Sequence, residues 1–304
     1  MLDALRPQMP TWDRLVVIDS SSTDDSVKRF EDVGAEIVTI ARESFDHGGT
    51  RNEGVQLLGT DVVVFLTQDA IPASDDAIAT LAAAVTRDDK RAVAFGRQLP
   101  APGASPIARA HRHFNYGVEP FERTAADIPT LGVRAAFNSN SFAAYRAEAV
   151  QAVGGFPEPI IGSEDRWIAA RFLQAGWAIA YEPTAAVFHS HDYSVTQDFH
   201  RYFDIGVFHA SEHWFDELLG EPQSEGVKLV RAQVNELRGS GTSFPRARVV
   251  AHAGASWVGY QAGRHHRWLP RSLAARWSTA PAYFTGASSR RYPARRNPEA
   301  RRRN

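Results

Sequence analysis

Cysteine is absent from the 304 residues, so the chain holds no disulfide, no zinc–thiolate or iron–sulfur site and no cysteine nucleophile. Any metal must bind Asp, Glu or His. Lysine is nearly absent as well, occurring only at 28, 90 and 228, which leaves arginine as the working cation. Long apolar runs are missing too. The longest, VVVFL at 62–66 and the Ala-rich stretch around Leu81, fall far short of the roughly 18 apolar residues that a membrane-spanning helix needs. Asp3, Arg6 and two prolines interrupt the N-terminus, which therefore lacks the pattern of a signal peptide. The expectation from these absences is a cytoplasmic protein.

Net charge is also small, at -1, but it is unevenly spread. Residues 245–304 hold 13 arginines and a single acid, Glu299, a balance of +12, which leaves -13 on residues 1–244. Such a split points to a polyanionic partner for the basic end, either nucleic acid or an anionic membrane leaflet, although a solvated arginine-rich tail accounts for the same composition. With 43% hydrophobic and 23% charged residues, the chain has the composition of a globular protein. Its length fits one large α/β domain with an appendage, or two domains.

LVVID (15–19), AEIVTI (35–40) and DVVVFL (61–66) are short β-branched runs with polar flanks, as buried parallel strands are. A helix is predicted after Ser22-Thr23-Asp24-Asp25 and another from near Thr50. The β-α-β-α-β alternation predicts a doubly wound, mostly parallel sheet with its ligands at the carboxyl ends of the strands, where Asp19 and Asp69 stand. Further strands are expected at 92–98, 136–145 and 178–191. A short helix should stop at Gly154-Gly155, and a second, capped by Ser163, should run to Gln174 and stop at Gly176. Aromatic residues recur at helical spacing from Thr196 to Leu219, and helical segments rich in Ala, Trp and Arg follow Pro245. The expected organisation is an α/β domain over 1–195, a helical region over 196–289 and a disordered arginine-rich tail over 290–304.

Four clusters could carry chemistry. Asp69 ends a buried strand, where its carboxylate suits a hard divalent cation; a turn or cap aspartate would read the same way. HGGTRN (47–52) places two glycines, a hydroxyl and Arg51 at a helix start, a setting for a phosphate or sugar hydroxyl, and an ordinary glycine loop with a threonine cap explains the same letters. Glu164 and Asp165 lie in the first turn of a helix. Capping accounts for either one, but two adjacent carboxylates can also raise one pKa toward that of a general base. His189 and His191 alternate on a strand and face one side, so both could reach one ion, as could surface histidines bound only to solvent.

Taken in order, VVIDSSSTDDS (16–26), FDHGGTRN (45–52), DVVVFLTQDAIP (61–72), FNSNSFAAYR (137–146), GGF (154–156), SEDRWIAARFLQAGW (163–177), HSHDYS (189–194) and RYFDIGVFH (201–209) resemble the GT-A glycosyltransferases of family two, in particular a rhamnosyltransferase-like branch. The segment WLPRSLAARWSTAPAYF (268–284) is similar to that branch's helical C-terminus. The resemblance implies that Asp19 contacts the donor nucleobase. It implies that Asp69 is the last aspartate of an Asp-x-Asp motif holding Mg or Mn on the diphosphate. Thr67 replaces the first aspartate of that motif, so ribose recognition would fall to Gln68 or another group. Asp165 matches the catalytic base of a Glu-Asp motif with Glu164 beside it, and His191, with His189, is implied as a further metal ligand. Arg51, Asn138 and Asn140 would line the donor pocket.

Family members normally begin with a strand ending in a Pro-Thr-x-Asn-like turn, and Met1 here opens in what reads as the following helix, LDALRPQMP. A strand encoded upstream of Met1, or a truncated form with impaired folding or donor binding, is therefore expected. The implied reaction is inverting transfer of a deoxyhexose, L-rhamnose from dTDP-L-rhamnose, to a lipid-linked surface glycan. Alternatives are another nucleotide-sugar donor, or a catalytically silent relative that binds nucleotide or membrane. Trp257, Trp268 and Trp277 interleave with arginines in the basic end, which favours an anionic membrane surface over nucleic acid and a peripheral location at the inner face of the plasma membrane.

Overall fold

A computed structural model describes residues 1–221, 223–239 and 246–286, and the tail expected at 290–304 lies outside the described residues. After the short helix α1 (Leu2–Leu5), strands β1 (Val16–Asp19) and β2 (Glu36–Thr39) pair in parallel, connected by α2 (Ser26–Glu31). Helix α3 (His47–Leu58) follows, and Gly59 ends it in the left-handed conformation. The remaining strands are β3 (Val62–Leu66), β4 (Ile71–Pro72), β5 (Arg91–Leu99), β6 (Phe121–Arg123), β7 (Phe142–Arg146) and β8 (Ala178–Phe188). They form a second sheet in the order β3-β7-β5-β8-β4, with β6 also on β8.

The fold is α/β, but this second sheet is mixed rather than mostly parallel. Only β5 and β8 run parallel; β3–β7, β5–β7, β4–β8 and β6–β8 are antiparallel. Apolar runs mark strands without fixing their direction, and β7 is shorter than its sequence run. Residues 136–141 cross the cleft irregularly before the chain enters β7 against the direction of both its neighbours.

The strands nearest the centre are buried on both faces, as the side-chain alternation requires. Phe142, Ala144 and Ala94 face α4 (Ala77–Thr86), which contributes Leu81, Ala84 and Val85. Tyr145, Ala143, Val93 and Phe95 face the opposite way. There they meet Ile168, Phe172 and Leu173 of α8 (Glu164–Gln174) and Phe203, Val207 and Phe208 of α9 (Val195–Ser211). Three further helices precede α8 in the chain: α5 (Pro106–Asn115), α6 (Ile128–Leu131) and α7 (Ala147–Ala152), the last stopped by Gly154 and Gly155 at positive φ. The expected helix over 196–219 breaks at Glu212 into α9 and α10 (His213–Leu219). Then come α11 (Gln223–Gly239), α12 (Arg246–Arg264), α13 (Arg271–Trp277) and α14 (Pro281–Thr285). The core thus crosses residue 195, and the later helices complete it.

Helices α9 and α12 approach closely because glycine lines the crossing. A Cβ on Gly263 would lie 2.0 Å from the Phe203 carbonyl oxygen, and one on Gly206 2.2 Å from that of Tyr260. A polar pair pins the same interface, His252 Nδ1 to Asp198 at 2.6 Å, and Arg264 Nη1 ties α12 to Asp216 of α10 at 2.5 Å, beside His209 of α9. Trp277 packs edge-on against Phe199 and Phe203, so it belongs to this core and not to an exposed tryptophan surface.

Among the described residues, β1 and β3 each keep one edge without a strand partner. Val16, Val17 and Ile18 of β1 and Val64, Phe65 and Leu66 of β3 line one cleft between the two sheets. All six are only half-buried. Because backbone blocks the space at Gly263, Gly263→Ala should lower stability by about 1–3 kcal/mol in urea unfolding.

Candidate active site

The cleft has a volume of about 1050 Å³ and opens at the carboxyl ends of β1 and β3. Asp19 ends β1, and its carboxylate accepts the backbone N–H of Ser22 at 2.9 Å, which fixes it at the cleft wall. Gln68 and Asp69 follow β3 on the turn to β4, and Gln68 is exposed to the cleft. Thr67, which departs from the Asp-x-Asp pattern, donates its hydroxyl to Asp69 Oδ1 at 2.7 Å and thereby orients that carboxylate.

HGGTRN forms the first turns of α3. Asp46, rather than a threonine, caps the helix, accepting from Gly49 N at 2.8 Å and from Ile160 N at 2.9 Å. A Cβ on Gly48 would lie 1.8 Å from the Pro157 carbonyl oxygen, so this glycine lets α3 pack against the loop before α8. The helix then aims Arg51 at Glu164, with Nη1 and Oε1 3.1 Å apart and both side chains nearly buried.

Ser163 stands before α8 with φ at +60° and makes no side-chain capping bond, unlike the serine cap expected there. Glu164 is instead held by Arg51 and by Asn140 Nδ2 at 3.1 Å. Burial pushes its carboxyl up, but Arg51, His47 and the Asn140 hydrogen bond more than offset this and keep it ionised. For Asp165 the balance reverses. Burial first, and the adjacent Glu164 charge second, push its pKa up to about 6. Asp165 lines the cleft and accepts backbone N–H groups from Arg166 and, at 3.4 Å, from Asn140. Asn138 and Asn140 are buried and meet at Tyr145. The tyrosine hydroxyl accepts from Asn138 Nδ2 at 2.6 Å and donates to Asn140 Oδ1 at 2.5 Å, so Asn140, which holds both carboxylates, is itself fixed through Tyr145 by Asn138, and both asparagines border the cleft.

Across the cleft, Asp69, His189 and His191 converge, with candidate ligand atoms all within 4.8 Å of one another. His189 Nε2 is 3.4 Å from Asp69 Oδ1, His191 Nε2 is 3.3 Å from Asp69 Oδ2, and the two Nε2 atoms are 3.0 Å apart. The histidines hold the Asp69 carboxyl well below the usual carboxylate range, chiefly through the His189 hydrogen bond. Burial and His189 lower the His191 pKa, favouring the neutral imidazole that a metal needs.

Gln98 supplies a test of whether these residues fit an ion. Its Oε1 faces both an Arg112 N–H and His189 Nδ1, the latter at 2.8 Å. Arginine only donates, so this Gln98 atom must be the oxygen and His189 must donate from Nδ1. With Nδ1 committed to Gln98, His189 faces Asp69 and His191 through Nε2, which donates to Asp69 when it carries a proton and offers its lone pair to a cation when it does not. A hydrogen-bonded outer partner that fixes the tautomer in this way is what a metal-ligating histidine usually has, so the residues fit a divalent cation. Neither Gln98 nor Tyr145 was singled out from the sequence. Gln98 carries no local signal beyond its place at the end of a strand, and Tyr145 reads as a core aromatic.

A mixed α/β sheet whose strand-end cleft is lined by Asp165 of a Glu-Asp pair and by an Asp-His-His cluster has the character of a GT-A glycosyltransferase. Residues 1–154 match the model of glycosyl transferase family 2, and the chain belongs to that family. It is 40% identical over 287 residues to the O-antigen chain rhamnosyltransferase RfbN of Salmonella typhimurium, covering 93% of this chain and 90% of the relative. Its identity to the O-antigen chain rhamnosyltransferase WbaN of Salmonella anatum is also 40%, over 283 residues, covering 92% and 89%. Among solved structures, the mannosyltransferase PcManGT of Pyrobaculum calidifontis, in complex with GDP-Man and Mn2+, matches with a TM-score of 0.50 at 18% identity, over 95% of this chain and 81% of that one. S. aureus TarS 1-349 with UDP-GlcNAc matches with a TM-score of 0.50 at 15% identity, over 96% and 86%. These structural likenesses support the fold.

Gln98→Leu should weaken Mn2+ binding about 10- to 100-fold by titration calorimetry, because the histidine tautomer is no longer fixed.

Proposed function

We propose that the chain is an inverting glycosyltransferase that moves L-rhamnose from dTDP-L-rhamnose to an O-antigen-type glycan on a lipid carrier. The observation that carries this reading is Asp165, a carboxylate at the cleft wall with its pKa raised to about 6, suited to act as a base near neutral pH. The rhamnosyl donor and the O-antigen acceptor are supported by the two Salmonella relatives.

In this reading Asp19 receives the nucleobase, Arg51 and Gln68 border the donor, and Asn138 and Asn140 hold the site's shape. Asp165 takes the proton of the acceptor hydroxyl. The freed oxygen attacks the anomeric carbon in line as the bond from that carbon to the diphosphate oxygen breaks, and this single displacement inverts the centre. Glu164 stays ionised on Arg51 and keeps Asp165 basic. A divalent cation, Mg2+ or Mn2+, on Asp69, His189 and His191 would neutralise charge on the departing diphosphate.

No helix among the described residues is long and apolar enough to cross a membrane. The proposed location is peripheral, at the inner face of the plasma membrane. Its support is the exposure of Trp257 (65%), Val250 and Val258 on α12 and of Trp268 (87%), Arg267, Arg271 and Arg276 in the segments that follow it.

Asp165→Asn should lower nucleoside diphosphate release at least 100-fold while donor affinity changes less than threefold. Retention of more than a few per cent of the rate removes Asp165 from the role. Since the base must be deprotonated, wild-type kcat/KM should fall about tenfold per pH unit below about 6, read from a pH profile. Trp257→Ser with Trp268→Ser should abolish most binding to vesicles containing anionic lipid, and unchanged sedimentation with vesicles would refute the docking surface.

A further inference from the structure

Three arginines from three helices meet in the cleft: Arg112 of α5, Arg166 of α8 and Arg201 of α9. None makes an ion pair with a carboxylate among the described residues. Their guanidinium groups lie over rings instead, Arg112 at 5.8 Å from Tyr116, Arg166 at 5.5 Å from Phe137, and Arg201 at 5.5 Å from Tyr193 and 5.7 Å from Tyr202. Stacking occupies the face of a guanidinium and leaves its edge donors for another partner. Arg112 gives one N–H to Gln98, and its Nε is buried with no partner.

Half-buried cations without counter-ions repel one another, which is costly unless an anion completes the group. All three charges bear on His111; together with burial, the largest influence, they hold that imidazole neutral. The carboxylates within reach are Asp69, facing Arg112, and Asp165, facing Arg166. Both are engaged, Asp69 with the two histidines and Asp165 with backbone N–H groups. Tyr193 carries Arg201 and stacks on His191 with ring centroids 5.0 Å apart, so the arginines adjoin the Asp-His-His cluster.

We propose that Arg112, Arg166 and Arg201 form a phosphate-binding subsite that receives a diphosphate group, either the donor's or one joining an acceptor glycan to its carrier. The subsite rests on the transferase reading for its ligand, and its anion affinity does not require metal.

The test is calorimetry of the full chain with inorganic pyrophosphate in EDTA. Wild type should bind, more weakly as salt rises, and Arg166→Gln and Arg201→Gln should each weaken binding at least fivefold. Arg201→Lys should recover part of the loss, and Lys90→Gln, an equal charge change on the outer surface, should leave binding unchanged. Binding by Arg166→Gln and Arg201→Gln equal to wild type, or a loss shared by Lys90→Gln, overturns the subsite. Steady-state kinetics identifies the source: a raised KM for the nucleotide sugar with reduced dTDP affinity assigns the donor diphosphate, and a raised KM for the lipid-linked acceptor alone assigns the carrier's. Wild-type turnover with arginine-independent pyrophosphate binding overturns the subsite and leaves the transferase reading standing. Arginine-dependent binding without turnover on any nucleotide sugar does the reverse.

Discussion

The Arg51–Glu164 ion pair is the constraint on which the site depends. It lies nearly out of water and joins two elements more than a hundred residues apart in sequence, the start of α3 and the start of α8. A buried pair of this kind contributes little net stability, but loss of either partner leaves an uncompensated charge, at a cost of roughly 3–5 kcal/mol. Its chemical effect is larger than its mechanical one. By holding Glu164 ionised, Arg51 maintains a negative charge beside Asp165, and that charge adds to burial in lifting the Asp165 pKa. The two carboxylates share one helical turn and have opposite environments, which separates a structural anion from a proton acceptor.

The opposite wall follows a similar logic with different atoms. Gln98 takes an arginine donor and a histidine donor on one oxygen while its amide donates to Ser139 Oγ at 2.8 Å. Its orientation is thereby fixed, and with it the nitrogen that His189 turns toward Asp69. Thr67 performs the matching service for the carboxylate. A residue that looks like a lost acid in the sequence is, in the fold, a support for the acid that remains.

Much of this was legible in the chain. The strand runs at 15–19, 35–40 and 61–66 and the helix from the Glu-Asp pair to Gln174 stand where the periodicity put them, because each signal is local; the histidines were expected on a strand, but β8 ends at Phe188 and they converge on Asp69 from the segment that follows it. Strand direction was not legible. Periodicity is the same for a strand read either way, and β7 reverses only because the chain crosses the cleft over 136–141 first. Asp46 and Ser163 show the same limit for caps: both residue types suit an N-cap, yet Asp46 caps α3 while it also accepts from Ile160, and Ser163 stands before α8 at positive φ with no side-chain cap bond. Asn138 and Asn140 were legible as site residues, but their meeting on Tyr145 depends on the turn into β7.

Helix α9 shows why the C-terminal region is part of the catalytic body. One face carries Phe203, Val207 and Phe208 into the core beneath the sheet, and another carries Arg201 into the cleft. The glycines at the α9–α12 crossing bring the two backbones close enough for His252 to pair with Asp198 of α9, while Arg264 pairs with Asp216 of α10. Any shift of α12 is therefore felt at Arg201 and Tyr193, next to His191. Trp257, Val250 and Val258 of the surface proposed to meet a membrane lie on α12, so an element that would dock is packed directly against the helix that walls the cleft.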